Sequence, residues 1–195
     1  MGKRQLATEE TRRRIVAAAE RLIGEKGFEN VGVQDITDEA GVAKGSFYTY
    51  FRRKEDVVCE IACDKFLTVE EQARTKGDAC GQITFFLTGS IKYIVDTGLP
   101  ICQQWLKNVV EPEDEQGKEK LARDTEVIRS ILSAAVDRGE LRADTPADTL
   151  AEGIVAEYYG AVALWAITNG KAAPESILAD HCAGALSAVL AGYKA

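Results

Sequence analysis

The chain has one histidine, His181, in 195 residues. A lone histidine leaves no Ser-His-Asp or Cys-His constellation, and with only Cys182 beside it there is no metal quartet. No enzyme activity, metal or cofactor is therefore expected. The five cysteines are odd in number and follow no framework spacing, which fits a reducing compartment better than a disulfide-stapled secreted domain. Long hydrophobic runs are missing too. The nearest case, residues 154–168, contains Glu157 and is too short to span a bilayer. The first residues are polar and charged, with no apolar stretch of signal-peptide type, so a cytoplasmic protein without a membrane segment is expected. Residues 41–46, GVAKGS, superficially suggest a phosphate loop, but the order is wrong for G-x-x-x-x-G-K-[ST] and no strand precedes them. No strand pattern and no internal repeat is apparent.

Hydrophobic residues make up 46% of the chain, enough for a substantial core. The net charge is -7, but it is unevenly spread. Residues 1–54 carry 11 Lys and Arg against 8 Asp and Glu, a net of +3, while residues 55–195 carry a net of -10. A basic front and an acidic remainder would orient the front toward a polyanion.

Residues 27–54, GFENVGVQDITDEAGVAKGSFYTYFRRK, lie in that basic part. Gly27 is placed to end the preceding helix in a left-handed conformation. Residues 30–32 read as a turn. Val33, Ile36 and Ala40 then recur at helical spacing, and the small Ala40 lets a second helix cross closely. Gly41 supplies a flexible turn position and Val42 plugs the corner. Residues 44–50 make a second short helix, with Phe47 and Phe51 turned inward. Lys44, Ser46, Tyr48, Thr49 and Tyr50 are left to face outward. A helix pair of this kind can lay its second member in the major groove of DNA, with Lys44 at the end that meets base edges. Gly45 allows close approach to a phosphate, and the hydroxyls of Ser46, Tyr48, Thr49 and Tyr50 suit base edges or phosphates. Lys54, at the next helix start, is placed to hold a phosphate with help from that helix end. Generic helix hairpins are common, but they do not need a turn glycine, a small crossing residue, a basic start and a hydroxyl-rich face together.

Thr11-Arg12, Ile15, Ala18-Ala19, Gly27-Phe28, Asp35-Ile36, Ala40-Gly41-Val42, Lys44 to Tyr48 and Tyr50-Phe51 resemble the DNA-binding region of the TetR family of bacterial transcriptional regulators, over about residues 8–56. The resemblance implies an all-α protein of about nine helices, with a three-helix head at residues 1–53. Residues 54–195 would form a helical body that binds a ligand and dimerises. It also implies a repressor that binds a palindromic operator as a homodimer and is released by a small-molecule inducer. By position it gives base contacts to Gln34, Lys44, Ser46 and Thr49, and phosphate contacts to Tyr48, Tyr50 and Lys54. Gly32 stands where the family often has Thr or Ser, and Ala43 where Ser is frequent, which weakens the two helix starts by about 1 kcal/mol in total. Thr37 replaces a usual Ala near the helix crossing.

Elsewhere the pattern predicts a first helix over 8–26, capped by Thr8 and preceded by a flexible arm at Lys3-Arg4. Arg12, Arg13 and Arg14 are expected to be mostly solvated. A linking helix follows over about 54–75, then helices over 82–96, 101–110, 118–138, 146–168 and 174–193, with an acidic loop at 111–117. The last two helices carry small residues, Gly153, Ala156, Gly160, Ala161 and Ala163 on one and Ala183, Gly184, Ala185, Ala188 and Ala191 on the other. With Leu178, Leu186, Val189 and Leu190 filling gaps, they are expected to form the dimer surface. A pocket for an apolar or aromatic inducer is expected among Phe66, Phe86, Tyr93, Cys102, Trp105, Glu157, Tyr158 and Trp165. The alternative trigger is a thiol sensor at Cys59, Cys63 or Cys102.

Overall fold

The structure is a computed structural model that describes residues 3–64, 66–110 and 115–195. The fold is all-α. Among the described residues the only β pairing is an isolated bridge between Leu141 and Lys194. Two compact units emerge, Met1–Asp64 with Thr97–Asp114, and Lys65–Asp96 with Glu115–Ala195.

The first unit is built on α1 (Lys3–Lys26), whose stripe of Ile15, Ala18, Ala19, Leu22 and Ile23 is buried. This helix begins earlier than a cap at Thr8 would allow, and Lys3 and Arg4, expected in a flexible arm, lie within it. The reason is local. Residues 3–7 are helix formers with no glycine or proline, so the weak capping preference of Thr8 is overridden. Gly27 ends the helix at φ 80° and ψ 152°, a conformation open to glycine but outside the left-handed helical well expected for it. A 3-10 turn, Phe28–Asn30, leads to α2 (Val33–Ala40) and α3 (Lys44–Tyr50), both with the bounds read from the sequence. Next comes α4 (Lys54–Asp64), tied to α1 by Arg12 and Glu60 at 2.7 Å.

The stretch read as one linking helix carries α4 and then α5 (Phe66–Ala73), with Lys65 outside the described residues. In the second unit α5 is followed by α6 (Ala79–Thr97). The chain returns to the first unit with α7 (Leu99–Val109), whose Ile101, Cys102 and Trp105 are buried and which packs on α1, α4 and the 3-10 turn. Then α8 (Glu115–Asp137), α9 (Ala147–Ile167), α10 (Pro174–His181), a π-helical turn (Cys182–Leu186) and α11 (Ser187–Ala191) complete the second unit. Of the acidic loop expected at 111–117, residues 111–114 lie outside the described set and 115–117 are the first turn of α8. At 21 residues, α9 is long and apolar enough by length and composition to cross a membrane, contrary to the expectation of too short a run. Its buried face, Ile154, Val155, Tyr158, Val162 and Trp165, instead serves the packing against α8 and α10.

A polar cluster sits inside this second unit. The Lys120 ammonium donates to both oxygens of Asp124 at 3.0 and 2.7 Å, and the Tyr159 hydroxyl on α9 donates to Asp124 at 3.0 Å. Each ion-pair side chain is 4% exposed. Removing one charge from such a pair is costly because the other stays buried and ionised. Lys120→Met should therefore lower stability by about 3–5 kcal/mol in urea unfolding, and adding Asp124→Leu should recover most of the loss.

Candidate nucleic-acid interface

The geometry of α3 follows from the turn before it. Gly41 holds φ 63° and ψ 41°, and its N–H donates to Asp38 O while the N–H of Val42 reaches Thr37 O at 2.9 Å. This pair of bonds closes α2 and redirects the chain. The turn has a second lock that sequence reasoning missed. The Arg14 guanidinium, on α1, donates to the carbonyls of Ala40 and Gly41, the latter at 3.2 Å. A Cβ at Gly41 would come 2.8 Å from that guanidinium. Arg14 thus reaches the turn while staying exposed, Arg12 is paired with Glu60, and Arg13 faces Glu9 at 3.5 Å. The missed signal was the small Ala40-Gly41 pair, which leaves room for a long cation to cap the turn.

Phe47 is fully buried and contacts Phe51 with ring centroids 5.5 Å apart, so the inner side of α3 is anchored as read. The opposite side is open. Lys44, Gly45, Tyr48 and Thr49 are exposed, and Ser46 and Tyr50 are half-buried. Tyr48 keeps 54% of its surface in water although it is large and aromatic. Lys44 makes no ion pair with another described residue. The Thr49 hydroxyl donates to Gly45 O at 3.3 Å, and Gln34 on α2 donates its amide to Asp38 at 2.7 Å. Gln34 would have to exchange that bond to meet a base. The helix starts are capped as weakly as expected. Ala43 has no side-chain cap, and at Gly32 the help comes from Asp35, which accepts the Gly32 N–H at 2.7 Å.

Lys54 requires a correction. Its ammonium donates to Phe28 O at 2.7 Å and Val31 O at 2.8 Å and lies 3.8 Å from the centre of the Phe28 ring. Two of its three donors are thus turned inward, toward the end of the 3-10 turn. The helix end expected to assist it is also occupied, because Asp56 accepts the N–H groups of Arg52 and Arg53 at 2.9 and 3.2 Å. A carboxylate already neutralises the positive end of α4. Lys54 therefore clamps the loop between α1 and α2 to α4.

The expected inducer residues are divided between the two units. Cys102 and Trp105 are buried in the first unit, and Phe86, Tyr158 and Trp165 are buried in the second, where Tyr93 is half-buried. The side chains of Phe66, Cys59 and Cys63 lie outside the described residues. Glu157 is not a pocket carboxylate. Its side chain is 46% exposed, with Oε1 3.9 Å from His181 Nδ1, because position 157 falls on the outer side of α9. The thiol reading also fails at Cys102. Burial pushes its pKa up to about 12, so the reactive thiolate is scarce at neutral pH.

A short helix anchored by aromatics and presenting a basic, hydroxyl-rich face after a glycine turn defines a helix-turn-helix DNA-binding regulator. Residues 15–61 match the family model for bacterial regulatory proteins, tetR family. Over 146 residues it is 25% identical to the HTH-type transcriptional regulator YfiR of Bacillus subtilis, which covers 71% of each chain. Among solved structures, a putative TetR-family transcriptional regulator from Rhodococcus sp. aligns with a TM-score of 0.74 at 20% identity, covering 93% of this chain and 99% of the other. FadR of Bacillus subtilis, solved in complex with stearoyl-CoA, aligns with a TM-score of 0.67 at 19% identity, covering 92% and 97%.

The Lys54 clamp has a measurable expected cost. Lys54→Met removes a part-buried cation from two carbonyls and should lower stability by about 1.5–3 kcal/mol in denaturant unfolding. It should leave the salt dependence of DNA binding nearly unchanged, whereas a phosphate contact would flatten the slope by about one unit.

Proposed function

We propose that this protein is a repressor that binds a palindromic operator as a homodimer, with α3 of each subunit in the major groove, and that a small molecule releases it. In this reading residues 1–53 read DNA, and residues 54–195 carry the effector and dimer functions. The observation that carries the reading is the outward face of α3. A buried Phe47 on one side leaves Lys44, Tyr48 and Thr49 exposed and Ser46 half-buried on the other. Lys44 and Ser46 are assigned to base edges, together with Thr49 and, after it releases Asp38, Gln34. Gly45, Tyr48 and Tyr50 are assigned to the sugar-phosphate chain.

Two surfaces support the dimer. On α9, Gly153 and Ala156 are exposed beside Leu164 and Ile167, which are 48% and 79% exposed. On the C-terminal run, Gly184, Ala188 and Val189 are exposed. Leu178, Leu186 and Leu190, expected to fill gaps between subunits, are buried within the second unit, so only Val189 of that group remains for a partner. The stearoyl-CoA held by the Bacillus subtilis neighbour supports a long apolar effector, and an aromatic one suits the buried Phe86, Tyr158 and Trp165 equally well. A two-state dimer of this kind needs a coupling of only about 1–3 kcal/mol to weaken operator binding about 5- to 150-fold.

Lys44 separates sequence reading from mere attraction. Lys44→Ala should lower affinity for the operator by about 10-fold or more, while affinity for unrelated duplex DNA falls much less. Footprinting across a genomic library would supply the operator and fluorescence anisotropy the two affinities. Equal losses would move Lys44 to the phosphates. A chain that stays monomeric in sedimentation at every concentration, or that protects no palindrome, would end the reading.

A further inference from the structure

Away from α3, the second unit contains an open cleft of about 630 Å³ between α6 and the C-terminal run. One wall is Cys80, Thr84 and Phe85 on α6. The other is Cys182 and Ala183, where the π-helical turn begins, with Leu190 beyond them. A π-helical turn inserts a residue into the helical repeat and is often found at functional positions. Here it begins at the cysteine that faces α6 across the cleft.

The two thiols come from distant parts of the sequence and line one cleft together with Thr84. Burial raises the pKa of each, with Asp78 adding to the effect at Cys80 and Cys80 itself adding to it at Cys182. Thiols kept protonated react slowly in chemistry that needs a thiolate, such as alkylation or attack on a peroxide. A condensation that consumes two neutral thiols and releases water is not restricted in that way. Among the described residues, no group of three or more His, Cys, Asp and Glu could hold a metal ion, so a four-coordinate zinc lacks ligands here. Two soft donors suit a thiophilic centre that needs only two.

We propose that Cys80 and Cys182 form a dithiol site that binds one trivalent organoarsenical in this cleft. The two As–O bonds of R–As(OH)2 break and two As–S bonds form. Each thiol proton leaves with an arsenic-bound hydroxide as water. Arsenic stays trivalent and no electrons are transferred. The organic group lies against Phe85 and Leu190, which give the cleft an apolar side. The wall uses the row containing Ala179, Ala183 and Ser187, so the neighbouring row of Gly184 and Ala188 stays available to a second subunit. The site does not depend on the DNA-binding reading.

The probe is phenylarsine oxide, titrated into the full chain under a phosphine reductant and followed by intact mass. Cys59 and Cys63, four residues apart on α4, are a competing pair, so the reference protein carries Cys59→Ser and Cys63→Ser. That protein should take up one phenylarsenic per chain, and adding Cys80→Ser or Cys182→Ser should abolish the uptake. No uptake by the reference protein, or uptake that survives loss of Cys80, overturns the proposal. A second measurement needs no variant. In the unsubstituted chain the arsenical should protect Cys80 and Cys182 together from later alkylation in denaturant. Protection of any other pair in place of Cys80 and Cys182 overturns it as well.

Discussion

The proposed DNA-reading face depends on the left-handed turn at Gly41. Two backbone bonds close α2 there, and the Arg14 guanidinium holds the outer carbonyls in place. The direction of α3, and with it the aim of Lys44 and Tyr48, is set by one residue that tolerates positive φ and by one cation reaching across from α1. Phe47 and Phe51 only convert that direction into stability. With another residue at position 41, the chain would have to accept strain of about 1–2 kcal/mol and also displace the guanidinium.

The parts of the fold legible in the sequence are those where local chemistry and tertiary packing agree. For α2 and α3 the bounds are as read, because glycine, a small crossing residue and inward aromatics each specify the same geometry. Buried and outward sides of α3 follow from the same spacing. The failures have a common cause. The bonds of Arg14 and Lys54 were not legible because their partners are backbone carbonyls, 27 residues away in the longest case, and carbonyls leave no mark in a sequence. Asp56, which fills the helix end once given to a phosphate, looks like any acidic residue in a first turn. Small residues on every side of α9 hide which face is buried, so the outward phase of Glu157 shows only in the fold.

Charge and thiols illustrate the same limit. The excess of basic residues before position 55 is visible in composition, yet Arg12, Arg14, Arg53 and Lys54 all spend charge inside the first unit. Fewer cations are thus free for DNA than the count suggests, and the burden on Lys44 grows. Among the cysteines, spacing drew attention to the pair on α4, while Cys80 and Cys182 stand about a hundred residues apart and share a cleft only in the folded chain.

The return of α7 to the first unit bears on how the polypeptide is made. Ile101, Cys102 and Trp105 complete the apolar interior that α1 and α4 begin. On a ribosome, the amino-terminal helices emerge well before that material does. They must wait several seconds at usual elongation rates, with part of their greasy side uncovered. Nascent chains halted before residue 99 are thus the natural clients of a holdase, whatever the merits of the helices already synthesised.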